Sequence, residues 1–451
     1  MFVRILARNL NFKLSKTYLN CCNNSKSFFS TTQATRRQFN KFNQNNAMSK
    51  YFLQDRYDNF TYSRLDYLSK KLSDDLLSSY NKQNLDGEKI AVLCSNNYTY
   101  LVSVIAIWKA GGVPLGLNKT YPINLLEYFI NDSKCKLAIN GMSDEDDAAN
   151  NTALTDLLDK HNIINYKLVE NKFHLNSENK ENDLKENLDA LENFRRLLNM
   201  EERKNKEAMI LYTSGTSGPP KGVVLTCGNL ASTCDTIKNA WQMSPDNHLL
   251  HVLPLNHVHG LIYCLLTCLY AGSYVEMLPK FNAELVWSKL LETNCSINSF
   301  MAVPTIYVQL VNLFLKDEKM RSKYSDEYVK KIFKEKIKLI VSGSAPLNVK
   351  THNEWLELTG YPILERYGMT EIGLGLSNPF IETETSKRTP GAVGRPYGNT
   401  FVRIVEPHDG ENDKDHVLIE SSNQKDTIIK DSESIFGELQ IKGDMVFKYY
   451  H

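Results

Sequence analysis

Residues 211–224 read LYTSGTSGPPKGVV, and the stretch from Thr213 to Lys221 has the residue types needed to hold a polyphosphate. Thr213, Ser214, Thr216 and Ser217 offer hydroxyl donors. Gly215 and Gly218 permit left-handed backbone, which lets main-chain N–H groups approach an anion. Lys221 adds a compact positive charge. A Walker A loop is excluded by spacing: it needs four residues between its glycine and Gly-Lys-Ser/Thr, followed by a helix. Here Gly222 follows Lys221, and Val223, Val224, Leu225 and Thr226 read as a strand. The bland alternative is a ligand-free turn, but four hydroxyls, two glycines and a lysine are more than a turn requires.

Two further groups could do chemistry. LPLNHVHG (253–260) presents His257 and His259, either as site imidazoles or as histidines satisfied in a core. ERYGMTE (365–371) places Arg366 beside Tyr367, Gly368, Met369, Thr370 and Glu371. A guanidinium pairs bidentately with a carboxylate, and one buried without a partner is costly. Arg366 therefore suits a substrate carrying a second carboxylate; the alternative is an ion pair with Glu365 or another neighbour.

The elements that must position these residues alternate. Residues 61–80 repeat apolar positions at helical spacing through Leu65, Leu68, Leu72 and Leu76. Ile90–Cys94 reads as a strand, Leu101–Trp108 as a helix stopped by Gly111 and Gly112, and Val113–Leu117 as the next strand. This rhythm predicts an α/β fold with parallel pairing. Further strands are expected at 208–212, 249–253, 273–277, 337–341 and 401–405, and GELQIKG (437–443) alternates like a half-buried strand. Residues 143–207 are rich in Asn, Lys, Glu and Asp, and read as a charged surface insertion with helical pieces.

Charge is unevenly spread. Residues 1–54 contain no Asp or Glu, but carry Arg4, Arg8, Lys13, Lys16, Lys26, Arg36, Arg37, Lys41 and Lys50. The start alternates apolar and basic residues, and Ser and Thr follow. That composition predicts a mitochondrial transit segment; a disordered basic tail is the alternative. The overall net charge of +1 gives no reason to expect a nucleic-acid partner. No apolar run is long enough to be a transmembrane segment. The nine cysteines form no CxxC pair, so buried thiols are expected rather than zinc or disulfides.

TSGTSGPPKGV resembles the phosphate-binding signature of adenylate-forming enzymes: acyl-CoA synthetases, luciferases and peptide-synthetase adenylation domains. The resemblance runs from about residue 57 to the C-terminus. WKAGGVPLGLNKTYP (108–122), LPLNHVHG, VPTIY (303–307), SGSAPL (342–347), ERYGMTE, PGAVGRP (390–396) and GELQIKG follow in the family's order. It implies two doubly wound, mostly parallel sheets plus a small β-barrel-like subdomain, the large N-terminal domain of the adenylate-forming fold. It implies a nucleotide-binding α/β part over 55–380 and a β-rich subdomain over 381–451. By resemblance, Thr213–Lys221 would hold the phosphates of ATP. Ser344, Ala345 and Pro346 would line the adenine pocket, with Tyr367, Gly368 and Met369 beside it. Thr370 would touch phosphate, Glu371 would help hold Mg²⁺, and His257 would form a gate beside ATP and the acyl pocket. Coenzyme A would be the cosubstrate. ERYGMTE and Ser377-Asn378-Pro379 resemble the malonyl-CoA synthetase branch, implying malonate or methylmalonate and a mitochondrial matrix enzyme. Medium-chain fatty acid activation is the other acid-ligase possibility.

Three departures qualify that expectation. Cys227 stands where relatives often have histidine. Asp444 in GELQIKGD takes a neutral residue's place and is not assigned the ribose role. The family's Thr-Gly-Asp motif, hinge and C-terminal lysine domain are not visible in these residues. That lysine would meet developing charge, so its loss predicts weak ATP binding, slow adenylation and no thioester formation. Two expectations stand side by side: an acid–CoA ligase lacking its C-terminal domain in this sequence, or a non-catalytic binding protein built on the large domain. A peptide-synthetase domain finds no carrier context here.

Overall fold

The apolar runs form two large, mostly parallel sheets and one small antiparallel sheet in the computed structural model. The structure describes residues 3–5, 51–142, 148–169, 184–213, 218–384, 386–406, 416–422, 425–429 and 437–451. Most of the expected transit segment lies outside them, as do residues 143–147 and 170–183 of the charged region. The chain divides into two compact units, one of which includes residues 235–249 and 282–446 and the other 51–234, 250–281 and 447–451. The boundary expected after residue 380 falls inside the first of these.

The second unit carries a seven-stranded sheet. Its strands run in the order Tyr449–Tyr450, Lys221–Thr226, Glu207–Thr213, Val113–Gly116, Lys89–Leu93, Leu137–Met142 and Ile164–Val169. The five from Glu207–Thr213 onward are parallel; the first two pair antiparallel. The chain leaves Lys89–Leu93 for Val113–Gly116 on one side and later adds Leu137–Met142 on the other, which is doubly wound topology. Helix Tyr98–Lys109 (YTYLVSVIAIWK) is apolar nearly all round, so almost all of it is buried. Asn97 starts it by accepting from the Thr99 N–H. Leu126, Phe129 and Ile130 of helix Ile123–Ser133 pack with Leu154, Leu157 and Leu158 of helix Ala148–Lys160 over Ala91, Leu93 and Leu115 of the sheet.

Residues 143–207 prove to be more than an insertion. Ile164–Val169 is a strand of the sheet, and helix Leu184–Asn199 buries Ala190, Leu191, Phe194 and Leu198. Those positions keep helical spacing beneath a charged outer face, and the charge count concealed it.

In the first unit, Ser299–Ala302, Leu339–Ser342 and Leu364–Met369 run parallel, and Gly373–Ser377 returns antiparallel. Trp287, Trp355, Tyr307, Phe314 and Phe333 form an aromatic core, with Trp287 and Trp355 stacked at 5.4 Å. The small antiparallel sheet is ordered Val3–Ile5, Glu438–Lys442, Phe401–Val405, Val417–Ser422 and Lys425–Ile429; four of these strands lie in the part expected to be β-rich, and Val3–Ile5 comes from the expected transit segment.

Candidate functional site

The phosphate-binding candidate is the turn of a hairpin. Strands Glu207–Thr213 and Lys221–Thr226 pair antiparallel, and Thr213 and Lys221 face each other as the last pair before the loop. A strand, not a helix, follows Lys221, so the rejection of a Walker A loop stands. Ser214, Gly215, Thr216 and Ser217 lie outside the described residues. Gly218 has φ +128°, and nothing lies within 4 Å of where a Cβ would stand; its glycine answers to backbone conformation, not to crowding. The Tyr128 hydroxyl donates to the Pro220 carbonyl at 2.8 Å and ties the loop to helix Ile123–Ser133. Lys221 is exposed, with Nζ 4.9 Å from the centroid of the Tyr450 ring.

The same unit holds His257 on a pinned turn. The Leu255 N–H donates to Asn96 Oδ1, and Asn96 Nδ2 donates to the Leu253 carbonyl. Asn256 is buried and donates to the Tyr121 hydroxyl at 2.7 Å. A Cβ on Gly116 would lie 2.8 Å from Leu211 Cδ2 and 3.9 Å from Asn256 Cα. The turn therefore sits against the carboxyl ends of the strands that also lead to the loop. His257 is exposed at its edge, and the protein packed around it lowers its imidazole pKa below the ordinary value, favouring the neutral ring. His259 is 3% exposed at the head of a π-helical segment, His259–Leu266, with Tyr263 beside it; it is a core residue. π-helical turns interrupt helices at functional sites more often than elsewhere.

The other unit collects a second group, at the carboxyl ends of Leu339–Ser342 and Leu364–Met369. Arg366 is 3% exposed. Its guanidinium lies over Gly343, where a Cβ would come within 2.3 Å of Nε and 2.4 Å of Cζ. Its Nη2 reaches Ser344 Oγ at 3.5 Å. Ser344 has φ +72°, a left-handed conformation uncommon outside glycine and concentrated at functional sites. Ser344, Ala345 and Pro346 are exposed. Glu365 points the other way, as successive strand residues do, and accepts from the Gly391 N–H at 2.8 Å. Burial pushes its carboxyl up to about 7, with the Gly391 N–H pulling back. The side chain offered as the simplest ion-pair partner for Arg366 is thus engaged elsewhere.

Tyr367, Gly368, Met369 and Thr370 follow, half-buried, and Glu371 is buried. Burial and the Glu371 carboxylate push the Tyr367 phenol up to about 12, so it stays protonated. Ser377 and Asn378 are buried; the Trp241 indole donates to Ser377 Oγ, and Asn378 Nδ2 donates to the Glu365 carbonyl. Among the described residues no group of three His, Cys, Asp or Glu could hold a metal. The single carboxylate of Glu371 fits a Mg²⁺ that arrives on phosphate oxygens, because Mg²⁺ keeps most of its shell as water and phosphate. It does not fit a metal caged by protein alone.

Within one unit the structure brings together Ser344, Arg366 and the segment to Glu371; within the other, Thr213, Gly218 and Lys221, with the His257 turn against the same strand ends. Reading the sequence assigned no role to Gly343, met only as part of SGSAPL, or to Tyr450. Neither has a spacing signal, because each matters only through a neighbour distant in the chain.

The sequence model of the family described as "AMP-binding enzyme" matches residues 36–451. A mitochondrial malonate–CoA ligase ACSF3 of Bos taurus is 36% identical over 402 residues, 88% of this chain and 64% of that protein. A malonate–CoA ligase of Arabidopsis thaliana is 32% identical over 347 residues, 75% of this chain and 53% of that protein. The chain thus spans less than two thirds of the length of either relative. Among solved structures, ATP-bound MatB from Rhodopseudomonas palustris superposes with a TM-score of 0.68 at 27% identity, covering 91% of this chain and 71% of that one. The N-terminal domain of FACL13 from Mycobacterium tuberculosis, TM-score 0.66 at 19% identity, covers 92% of this chain and 90% of that one and shares the fold.

Proposed function

Because this chain belongs to the AMP-binding enzyme family, we propose that it takes part in ATP-dependent activation of a small dicarboxylic acid, malonate or methylmalonate, to its coenzyme A thioester. The observation that carries the choice of acid is Arg366: a buried guanidinium at the strand ends, seated on Gly343 and Ser344, with Glu365 turned away. Relatives named malonate–CoA ligases and the MatB structures support the same acid class. Nothing among these relatives favours a non-catalytic binding role.

The chemistry has two displacements. A carboxylate oxygen of the acid attacks the α-phosphorus of ATP, the bond to the β-phosphate oxygen breaks, and pyrophosphate leaves. The coenzyme A sulfur, having lost its proton, then attacks the acyl carbon and AMP leaves. In this reading Thr213, Ser214, Gly215, Thr216, Ser217, Gly218 and Lys221 hold the outer phosphates. Ser344, Ala345, Pro346 and Tyr367 flank the adenine, with Gly368 and Met369 beside it. Thr370 donates to phosphate, and Glu371 would hold a Mg²⁺ ion whose charge would offset that of the phosphates. Arg366 pairs with the carboxylate that does not react, and a neutral His257 borders the acyl pocket. We place the reaction in the mitochondrial matrix, in keeping with the basic, acid-free residues 1–54 and the mitochondrial relatives.

Acid-dependent pyrophosphate release by the full-length protein tests this with malonate, methylmalonate, acetate and octanoate. Malonate or methylmalonate is expected to be preferred, and preference for octanoate would overturn the reading. Arg366→Ala should lower kcat/KM for malonate roughly 10- to 100-fold, as expected for losing a hydrogen-bonded charge, while acetate changes little.

A further inference from the structure

The strand Tyr449–Tyr450 lies along the outer edge of Lys221–Thr226, with Tyr449 opposite Val224 and Tyr450 opposite Val223. The Lys448 N–H donates to the Val224 carbonyl at 3.0 Å, and the His451 N–H to the Gly222 carbonyl at 2.7 Å. Gly222 allows this approach, since a Cβ there would stand 3.2 Å from His451 Cβ. Side chains fasten the strand as well. Lys448 Nζ donates to the Asn205 carbonyl, and the Tyr449 hydroxyl donates to Glu207.

This strand delivers the Tyr450 ring to Lys221, the lysine of the phosphate loop, at 4.9 Å from Nζ to centroid. The Phe447 ring, 4.7 Å away and tilted by 59°, backs the Tyr450 ring. Among the described residues no carboxylate pairs with Lys221. The difference matters for an anion site. A carboxylate would cancel the ammonium charge and compete with phosphate. An aromatic face attracts the cation through its quadrupole, adds no net charge, and leaves N–H donors free to turn to a ligand.

We propose that Tyr450 is a positioning residue for Lys221: its ring holds the ammonium at the stem of the loop, restricted in rotamer and ready for the phosphates of ATP. The inference rests on the reading of Thr213–Lys221 as the ATP-phosphate site. Tyr450 is 43% exposed, so replacing it opens no core cavity.

The test compares wild type, Tyr450→Phe and Tyr450→Leu in the full-length protein. The rate of Lys221 acetylation by N-hydroxysuccinimide acetate is followed peptide by peptide, with Lys119 as the internal reference. The Kd of magnesium-ATP is measured by calorimetry. Tyr450→Leu should acetylate at Lys221 about two- to five-fold faster and bind ATP about two- to five-fold more weakly, the scale of one partly exposed cation–ring contact. Tyr450→Phe, which keeps the ring, should keep both values. Unchanged Lys221 acetylation and Kd in Tyr450→Leu would overturn the proposal. So would equal acceleration at Lys221 and Lys119, which would mean general loosening. If wild type binds no ATP, or if ATP fails to slow acetylation of Lys221, the nucleotide reading falls; acetylation faster only at Lys221 in Tyr450→Leu still supports the ring contact.

Discussion

At position 343 a hydrogen atom stands where a methyl group would collide with the guanidinium of Arg366. Arginine was legible in the sequence because its chemistry is carried by its own side chain. Glycine was not, because what it contributes is vacant space, and that space has meaning only once residue 366 is folded beside it. Ser344 belongs to the same seat: its left-handed backbone is a local cost, of order 1–3 kcal/mol, that a merely structural turn would avoid by using glycine. Gly343→Ala should therefore damage recognition of the dicarboxylate more than catalysis in general. We expect kcat/KM for malonate to fall about tenfold or more, equivalent to ~1.4 kcal/mol, with acetate within about threefold. Equal losses for both acids would show that Gly343 serves the fold and not the acid.

Elements supported by periodicity and punctuation were legible: helix Tyr62–Ser79 and the run from strand Lys89–Leu93 through helix Tyr98–Lys109 to strand Val113–Gly116 fall where the pattern puts them. Helix Leu184–Asn199 was obscured, because its polar face outnumbers its apolar face in composition, although spacing alone decides which side is buried. The π-helical segment His259–Leu266 was not legible at all, since an apolar run has no mark that separates i→i+5 from i→i+4 bonding. Its start is constrained sterically. A Cβ on Gly260 would stand 2.2 Å from the Pro254 carbonyl oxygen, so the turn carrying His257 closes only over glycine. Gly260→Ala must push that turn outward. Overpacking of this kind costs ~1–3 kcal/mol, and we expect a lower Tm by differential scanning fluorimetry together with weakened use of every acid tested. An unchanged Tm would mean that the turn yields without cost.

For the whole molecule, the family and the α/β architecture were legible because many short motifs follow one another in a fixed order. The division into compact units was not, because the chain enters each of them more than once, and proximity in sequence then ceases to predict proximity in space. Residues 1–54 pose a separate question, one of address. Fused to a fluorescent reporter, they should direct it to mitochondria, and replacing Arg4, Arg8 and Lys13 with glutamine should leave it in the cytosol. Reporter retained in mitochondria after that change would remove the basic pattern as the signal. The strand ending at Tyr450 adds a matter of timing. Tyr449 reaches Glu207 across 242 residues of sequence, so a ribosome making this protein completes the hairpin that bears Lys221 long before its outer neighbour exists. At ~5–20 residues per second, the bare edge of Lys221–Thr226 waits for on the order of ten seconds or more, open to pairing with other nascent chains. The hairpin that bears Lys221 thus follows four strands of its sheet in the chain and keeps an open edge until Tyr449–Tyr450 has been made.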